Sequence, residues 1–176
     1  KAYFSYYNST STGIMENFKY QKNNVSFKQS TKFLNDKMTI SSNILLTDEK
    51  TDNRAPAGYY LNPLTALYMH PRERDFSDFK NYETFNAGTN MMDQNFPFNY
   101  HFLSNPYWIM NKQPKEDKIR RAISSLNLSY EISDKLSFQA RASYDFSNKS
   151  YEQQHAAGSN PTNTGSNGRW DYAQFT

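Results

Sequence analysis

The sequence predicts an all-β protein, namely antiparallel strands of a transmembrane β-barrel in a fragment of about four to five strands with long extracellular loops. Three observations predict it. Apolar and polar residues alternate with a period of two over long stretches. Aromatic residues make up 16 % of a chain whose mean hydropathy is −0.94. Connections between the alternating stretches are either very short or very long.

Residues 2–7, with Tyr3, Phe4, Tyr6 and Tyr7, read as a first strand, and 8–21 as a loop. A hairpin follows, with strands near 22–34 and 37–47 and its turn around Asn35-Asp36. Val25, Phe27 and Phe33 share one face of the first arm, weakened by Gln29 and Thr31. Met38, Ile40, Ile44 and Leu46 share a face of the second, with Ser42 as the exception.

Residues 48–118 read as a long loop that carries a short helix from Asn62-Pro63 to Met69, stopped by Pro71. Its many aromatics, from Phe76 to Trp108, suit a loop that packs on itself.

The clearest hairpin spans strands near 119–133 and 135–147. Leu136, Phe138, Ala140, Ala142, Tyr144 and Phe146 alternate without exception with Ser137, Gln139, Arg141, Ser143, Asp145 and Ser147. On the preceding arm Leu126, Leu128, Tyr130 and Ile132 alternate with Asn127, Ser129 and Glu131. Residues 148–176, rich in Gly, Ser and Asn, read as a last loop.

Expected strands of about 10–13 residues exceed the about 5–6 usual in soluble sheets, and fit a bilayer crossed at a tilt of roughly 40°. Short periplasmic turns and long outer loops are the habit of such barrels. That habit places Asn35-Asp36 and Ser133-Asp134 on the periplasmic side. The polar strand residues Asn127, Glu131, Gln139, Arg141 and Asp145 then face the lumen. Arg141 and Asp145 either touch what occupies or passes through the lumen or form ordinary salt bridges, the more common case.

Composition narrows the function classes. Aromatic content at this level argues against a disordered chain. The formal charge of +3 comes without a long Lys/Arg run, so no nucleic acid partner is expected. With no Cys there is no disulfide framework or thiolate metal site. His70, His101 and His155 lack metal-ligand spacing and read as loop histidines. Glu73, Asp75 and Asp78, and the pair Glu116/Asp117, lie beside Arg72, Arg74, Lys115 and Lys118, which suits ion pairs better than acid–base chemistry. Gly158, Gly165 and Gly168 lack a strand–helix phosphate-binding context. The Asn-x-Ser/Thr matches at Asn8, Asn24, Asn127 and Asn148 read as chance in a bacterial barrel. The expectation is a protein that is not an enzyme and needs no cofactor and no metal. Tyr68, Tyr107, Trp108 and Trp170 are the candidate substrate-binding residues, because Tyr and Trp offer an apolar face with a polar edge to a sugar ring. Trp170 is the preferred one.

Several segments resemble the SusC/RagA family of TonB-dependent outer-membrane transporters. They are Asn62-Pro63-Leu64 with Leu67-Tyr68 and Pro71-Arg72; Asn105 to Asn111 with Pro114, Glu116-Asp117-Lys118 and Arg120-Arg121; Tyr130 to Leu136; and Tyr151-Glu152-Gln153. The resemblance covers nearly the whole chain, in order. It implies a barrel of about 22 strands around a plug, powered through TonB, localised in the outer membrane and lidded by a SusD-like lipoprotein. It also implies an oligosaccharide or peptide solute and contact with outer-membrane lipid. On this reading the chain is an internal barrel fragment without the plug or the TonB-contacting segment. The rival readings are a passive porin or adhesin barrel, and a soluble β-sandwich that binds glycans through loop aromatics.

Overall fold

The structure is a computed structural model that describes all residues of the chain except Asn99, His101 and Ser166. Strands β1 (Ala2–Thr12), β2 (Lys19–Phe33), β3 (Met38–Asp52), β6 (Lys115–Ser133), β7 (Leu136–His155) and β8 (Arg169–Phe175) form one antiparallel sheet in the order β1-β2-β3-β6-β7-β8. The hairpin β4 (Glu83–Asn86) and β5 (Met91–Gln94) is separate and lies in the connection between β3 and β6. That connection also holds α1 (Pro63–Tyr68) and α2 (Pro106–Lys112), and α3 (Pro161–Thr164) precedes β8. No described helix is long and apolar enough to cross a membrane, which says nothing of strands.

Register turns the sequence alternation into two chemically distinct faces. Ile40, Leu128 and Ala140 face one another across three strands, as do Met38, Tyr130 and Phe138. The intervening rows pair Thr39 with Ser129 and Gln139, and Ser41 with Asn127 and Arg141. A one-residue slip would exchange the faces, so the alternation itself selects the register. On β7 the apolar band from Leu136 to Phe146 rises about 25 Å once tilted by roughly 40°.

The strands outlast that band. The expectation ended β3 at residue 47, β7 at 147 and β1 at 7, whereas they run to Asp52, His155 and Thr12, and β6 starts at Lys115. The loops expected at 8–21 and 48–118 shrink accordingly. Pairing continues because cross-strand ion pairs replace apolar contacts: Lys50–Glu116 at 2.8 Å, Arg120–Asp48 at 3.2 Å and Lys22–Glu49 at 3.3 Å. The expected loop 148–176 is also corrected. Its first residues complete β7, and Arg169–Phe175 form a sixth sheet strand paired from Lys149↔Phe175 to His155↔Arg169.

Both tight turns fall near their expected places. The first puts Leu34, Asn35 and Asp36 at φ of 51°, 54° and 67°. Asn and Asp tolerate that left-handed region, and Leu does not.

The buried core lies outside the apolar band of the sheet. Among the described residues, the buried hydrophobic side chains Phe79, Trp108, Leu103, Ala66 and Ile109 all belong to the 53–114 connection. This connection and residues 156–168 together form a cap at one end of the sheet. Three Asn-Pro dipeptides start its helices: the side chains of Asn62, Asn105 and Asn160 accept from the backbone N–H groups of Leu64, Tyr107 and Thr162, with Pro at the first helical position each time. Asn105, fully buried, also donates to the Phe79 and Asn95 carbonyls at 2.9 and 2.8 Å. Phe79 is ringed by His70, Phe76, Phe96 and Phe98, with centroids between 5.0 and 5.9 Å away. Gly158 lies so close to β5 that a side chain would run into the Met92 carbonyl, and its own carbonyl accepts from Gln94 N–H at 2.9 Å.

Candidate functional site

The polar face of the sheet gathers the five strand residues singled out by sequence. Asn127, Glu131, Gln139, Arg141 and Asp145 project from one side, opposite Arg141, Ser137, Ser129, Asn127 and Ile123 respectively. Arg141 and Asp145, although on the same side, do not pair. Arg141 donates to Asn127 Oδ1 at 2.6 Å, and Asp145 accepts from Arg121 Nε at 2.9 Å. Each group finds its partner across the ladder, where side chains approach more closely than along a strand.

Above these, the same face carries a denser cluster that sequence reasoning did not single out as a unit. It comprises Lys115, Asp117, Tyr151, Gln153, His155, Arg169 and Asp171. Lys115 Nζ stands 5.1 Å from the Tyr151 ring centre, and the Tyr151 hydroxyl donates to Gln153. Burial raises the Tyr151 pKa, with Asp171 and Asp117 adding to the shift. His155 is 5 % exposed; its Nε2 lies 3.2 Å from Asp171 Oδ2, and Arg169 Nε donates to the same carboxylate oxygen at 3.0 Å. Burial, reinforced by Arg169, pushes the His155 imidazole below its ordinary range, against the pull of Asp171. The loop histidine expected here is therefore a buried residue that ends β7 and joins it to β8. The signal was present in the alternation Trp170, Tyr172 against Arg169, Asp171, obscured by the Gly/Asn-rich stretch before it.

The four aromatic candidates are not brought together. Tyr68, at the end of α1, is 83 % exposed. Tyr107 on α2 is half-buried, its ring 6.1 Å from that of Phe76. Trp108 is 1 % exposed and donates from Nε1 to Ser159 Oγ at 2.8 Å, so it holds the two parts of the cap together and offers no surface to a solute. Trp170 is 62 % exposed, but on a strand and not in a loop. It pairs with Gln154 and so projects on the apolar side of the sheet, away from Arg141 and Asp145.

His70 sits edge-on to Phe79 in the cap core, and His101 lies outside the described residues. Among the described residues no group of three or more His, Cys, Asp or Glu is placed to hold a metal ion. An open cleft of about 830 Å³ lies between the β1–β2 turn and the strand ends, lined by Lys19, Asp52, Lys115, Glu116 and Glu152 among others. Burial pushes the Glu116 carboxyl up, but hydrogen bonds from Lys118 and Lys50 outweigh it and leave the pKa below its ordinary value. Asp52 and Glu116 at this cleft are thus paired with Lys50 and Lys118 on the adjoining strands.

Compared with known proteins, the chain matches no family model and no curated sequence. The arrangement itself defines an antiparallel β-sheet protein with one apolar and one polar face and a separately cored cap.

Proposed function

We propose that this chain is part of a TonB-dependent outer-membrane importer of oligosaccharides or peptides, of the SusC/RagA kind, working with a SusD-like surface lipoprotein. The apolar face meets lipid. Asn127, Glu131, Gln139, Arg141 and Asp145 line the lumen beside a plug, and the cap faces outward.

One observation carries the reading. Rows of mostly apolar side chains cross β3, β6 and β7, interrupted only at Ser42 and Ser124, yet stay open: Leu126 and Phe138 are each 50 % exposed, Tyr144 63 % and Leu46 47 %. A soluble sheet covers such a face with a second layer, and a lipid-facing one does not. Strand lengths of 15, 19 and 20 residues for β3, β6 and β7 exceed what a bilayer crossing needs and suit strands that continue beyond it.

The test compares the faces in the full-length protein. Phe138→Arg or Leu128→Arg places a cation in lipid at a cost of about 2–4 kcal/mol and should block outer-membrane assembly. Ser137→Arg or Ser129→Arg should assemble normally. Equal effects on both faces would sink the reading. Cysteine in place of Trp170 should react with an impermeant reagent on intact cells, and cysteine in place of Asp134 should not; the reverse would invert the orientation. Uptake that persists without TonB would favour a passive porin.

A further inference from the structure

Trp170 and Tyr172 project together from β8 on the apolar side of the sheet, opposite Gln154 and Glu152. Their rings are near-parallel, at 24°, with centroids 5.9 Å apart, and are 62 % and 52 % exposed. They do not belong to the apolar band. That band ends on β7 at Phe146, and Glu152 lies about 20 Å further along the strand. Two polar rows intervene, Asp48–Arg120–Asn148 and Lys50–Lys118–Ser150, and the row containing Tyr172 continues through Asp52, Glu116 and Glu152. A pair of aromatics at a lipid boundary would border the band and would not stand beyond two polar rows.

The polar groups around the rings are ordered. Glu152 Oε1 accepts from Trp170 Nε1 at 3.1 Å and from Gln154 Nε2 at 3.2 Å, and the Tyr172 hydroxyl donates to Gln174 Oε1 at 2.8 Å. These bonds fix the indole edge and hold a carboxylate beside it. The second carboxylate oxygen has no hydrogen bond to a described residue among these contacts and is free to accept from a hydroxyl. A shallow hollow of about 560 Å³ wraps the ends of β7 and β8 next to Trp170, lined by Glu152, Gln154 and Trp170 from the apolar side and by His155 and Arg169 from the polar side.

The geometry points to a glycan-binding site on the outside of the wall, built from Trp170, Tyr172, Glu152 and Gln154, that takes consecutive hexopyranose rings. Sugar C–H faces stack on the two rings, while hydroxyls bond to the carboxylate and amide at their edges. The ring faces are open and their polar edges are hydrogen-bonded, which suits sugar C–H faces and hydroxyls. The site rests on the barrel part of the proposed function, which places this face outward, but not on transport, since it lies on the face opposite the one assigned to solute passage. The glycan could be free in solution or anchored in a surrounding surface layer; the chemistry of recognition is the same.

The test uses the purified full-length protein with two probes: linear glucan oligosaccharides followed by calorimetry, and phospholipid vesicles with or without rough-type lipopolysaccharide followed by co-sedimentation. Binding to either probe, weakened about tenfold by Trp170→Ala and similarly by Tyr172→Ala, supports the site. Trp170→Phe keeps an aromatic face and should retain most of the affinity, which separates stacking from a folding defect. Glu152→Gln should weaken binding less than Trp170→Ala. Binding to glucan alone identifies a free ligand, and binding only to lipopolysaccharide vesicles an anchored one. Absence of binding to both probes, or binding that Trp170→Ala leaves unchanged, would overturn it.

Discussion

The sheet and the cap are held together by different physics. In the sheet, β6 and β7 pair without interruption from Lys115↔Gln153 to Glu131↔Ser137, yet Leu136, Phe138 and Tyr144 remain 57, 50 and 63 % exposed. In the cap, strands and helices are short, yet Phe79, Trp108 and Leu103 are at most 2 % exposed. The sheet is organised by backbone ladders and by the alternation of side chains, and leaves its apolar surface to be covered by something else. The cap buries its own apolar surface around a few large side chains and three capped helix starts. A substitution in the cap should therefore act locally on stability, and one in the sheet should act through the medium the sheet faces.

The largest expected effect comes from Trp108→Ala, which removes a fully buried side chain and one of the two hydrogen bonds that Ser159 Oγ accepts, leaving it only the one from Gln113. It should destabilise the cap by about 3–5 kcal/mol, measured as a loss of hydrogen-exchange protection in 53–114 and 156–168 while the β6–β7 amides stay protected. Simultaneous loss in both regions would show that cap and sheet form one cooperative unit. Leu34→Asn comes next. It relieves a branched side chain at φ 51° and should stabilise the β2–β3 turn by about 1 kcal/mol, read as a shift in denaturation midpoint; a destabilised variant would mean that the Leu34 side chain is needed in the turn.

A pH effect marks the junction. His155 is held below its ordinary range by burial and by Arg169. The unfolded chain therefore binds a proton first as pH falls. Stability conferred by the neutral imidazole is complete above about 6.5, the unfolded value, and is lost progressively below it until the folded pKa is passed. Unfolding measured over this range should show that loss, and His155→Gln should flatten it. A slope that persists in the variant would assign it to another group. The smallest effect is expected of Asp145→Asn, because its pair with Arg121 is exposed, with side chains 50 and 48 % accessible. Solution stability should barely change, and a large loss would show that the pair is buried against a partner.

Much of this division was readable in the sequence. Period-two alternation identified β2, β3, β6 and β7, their two faces and both tight turns. It stopped short where the signal changed chemistry, because a hydropathy pattern ends at Leu46 and Phe146 whereas hydrogen-bonded pairing continues through Lys50, Glu116 and Glu152. The repeated Asn-Pro dipeptide could have announced α2 and α3 as it announced α1. The fate of individual aromatics was not readable. Trp108, between Tyr107 and Ile109, and Trp170, between Arg169 and Asp171, both read as solute-contact candidates, but one is a buried cross-link and the other an exposed ring.

The sequence by itself determined which residues share a face, since side chains on a strand must alternate and apolar ones segregate from polar ones. Only the tertiary structure decided which partner each charge meets, because Arg141 with Asn127 and Arg121 with Asp145 depend on cross-strand register, which no single strand contains. It alone decided that Trp108 is interior and that Trp170 stands with Tyr172 on the apolar side. Burial depends on chain segments that lie far apart in sequence, and Ser159 is 51 residues from the indole it receives.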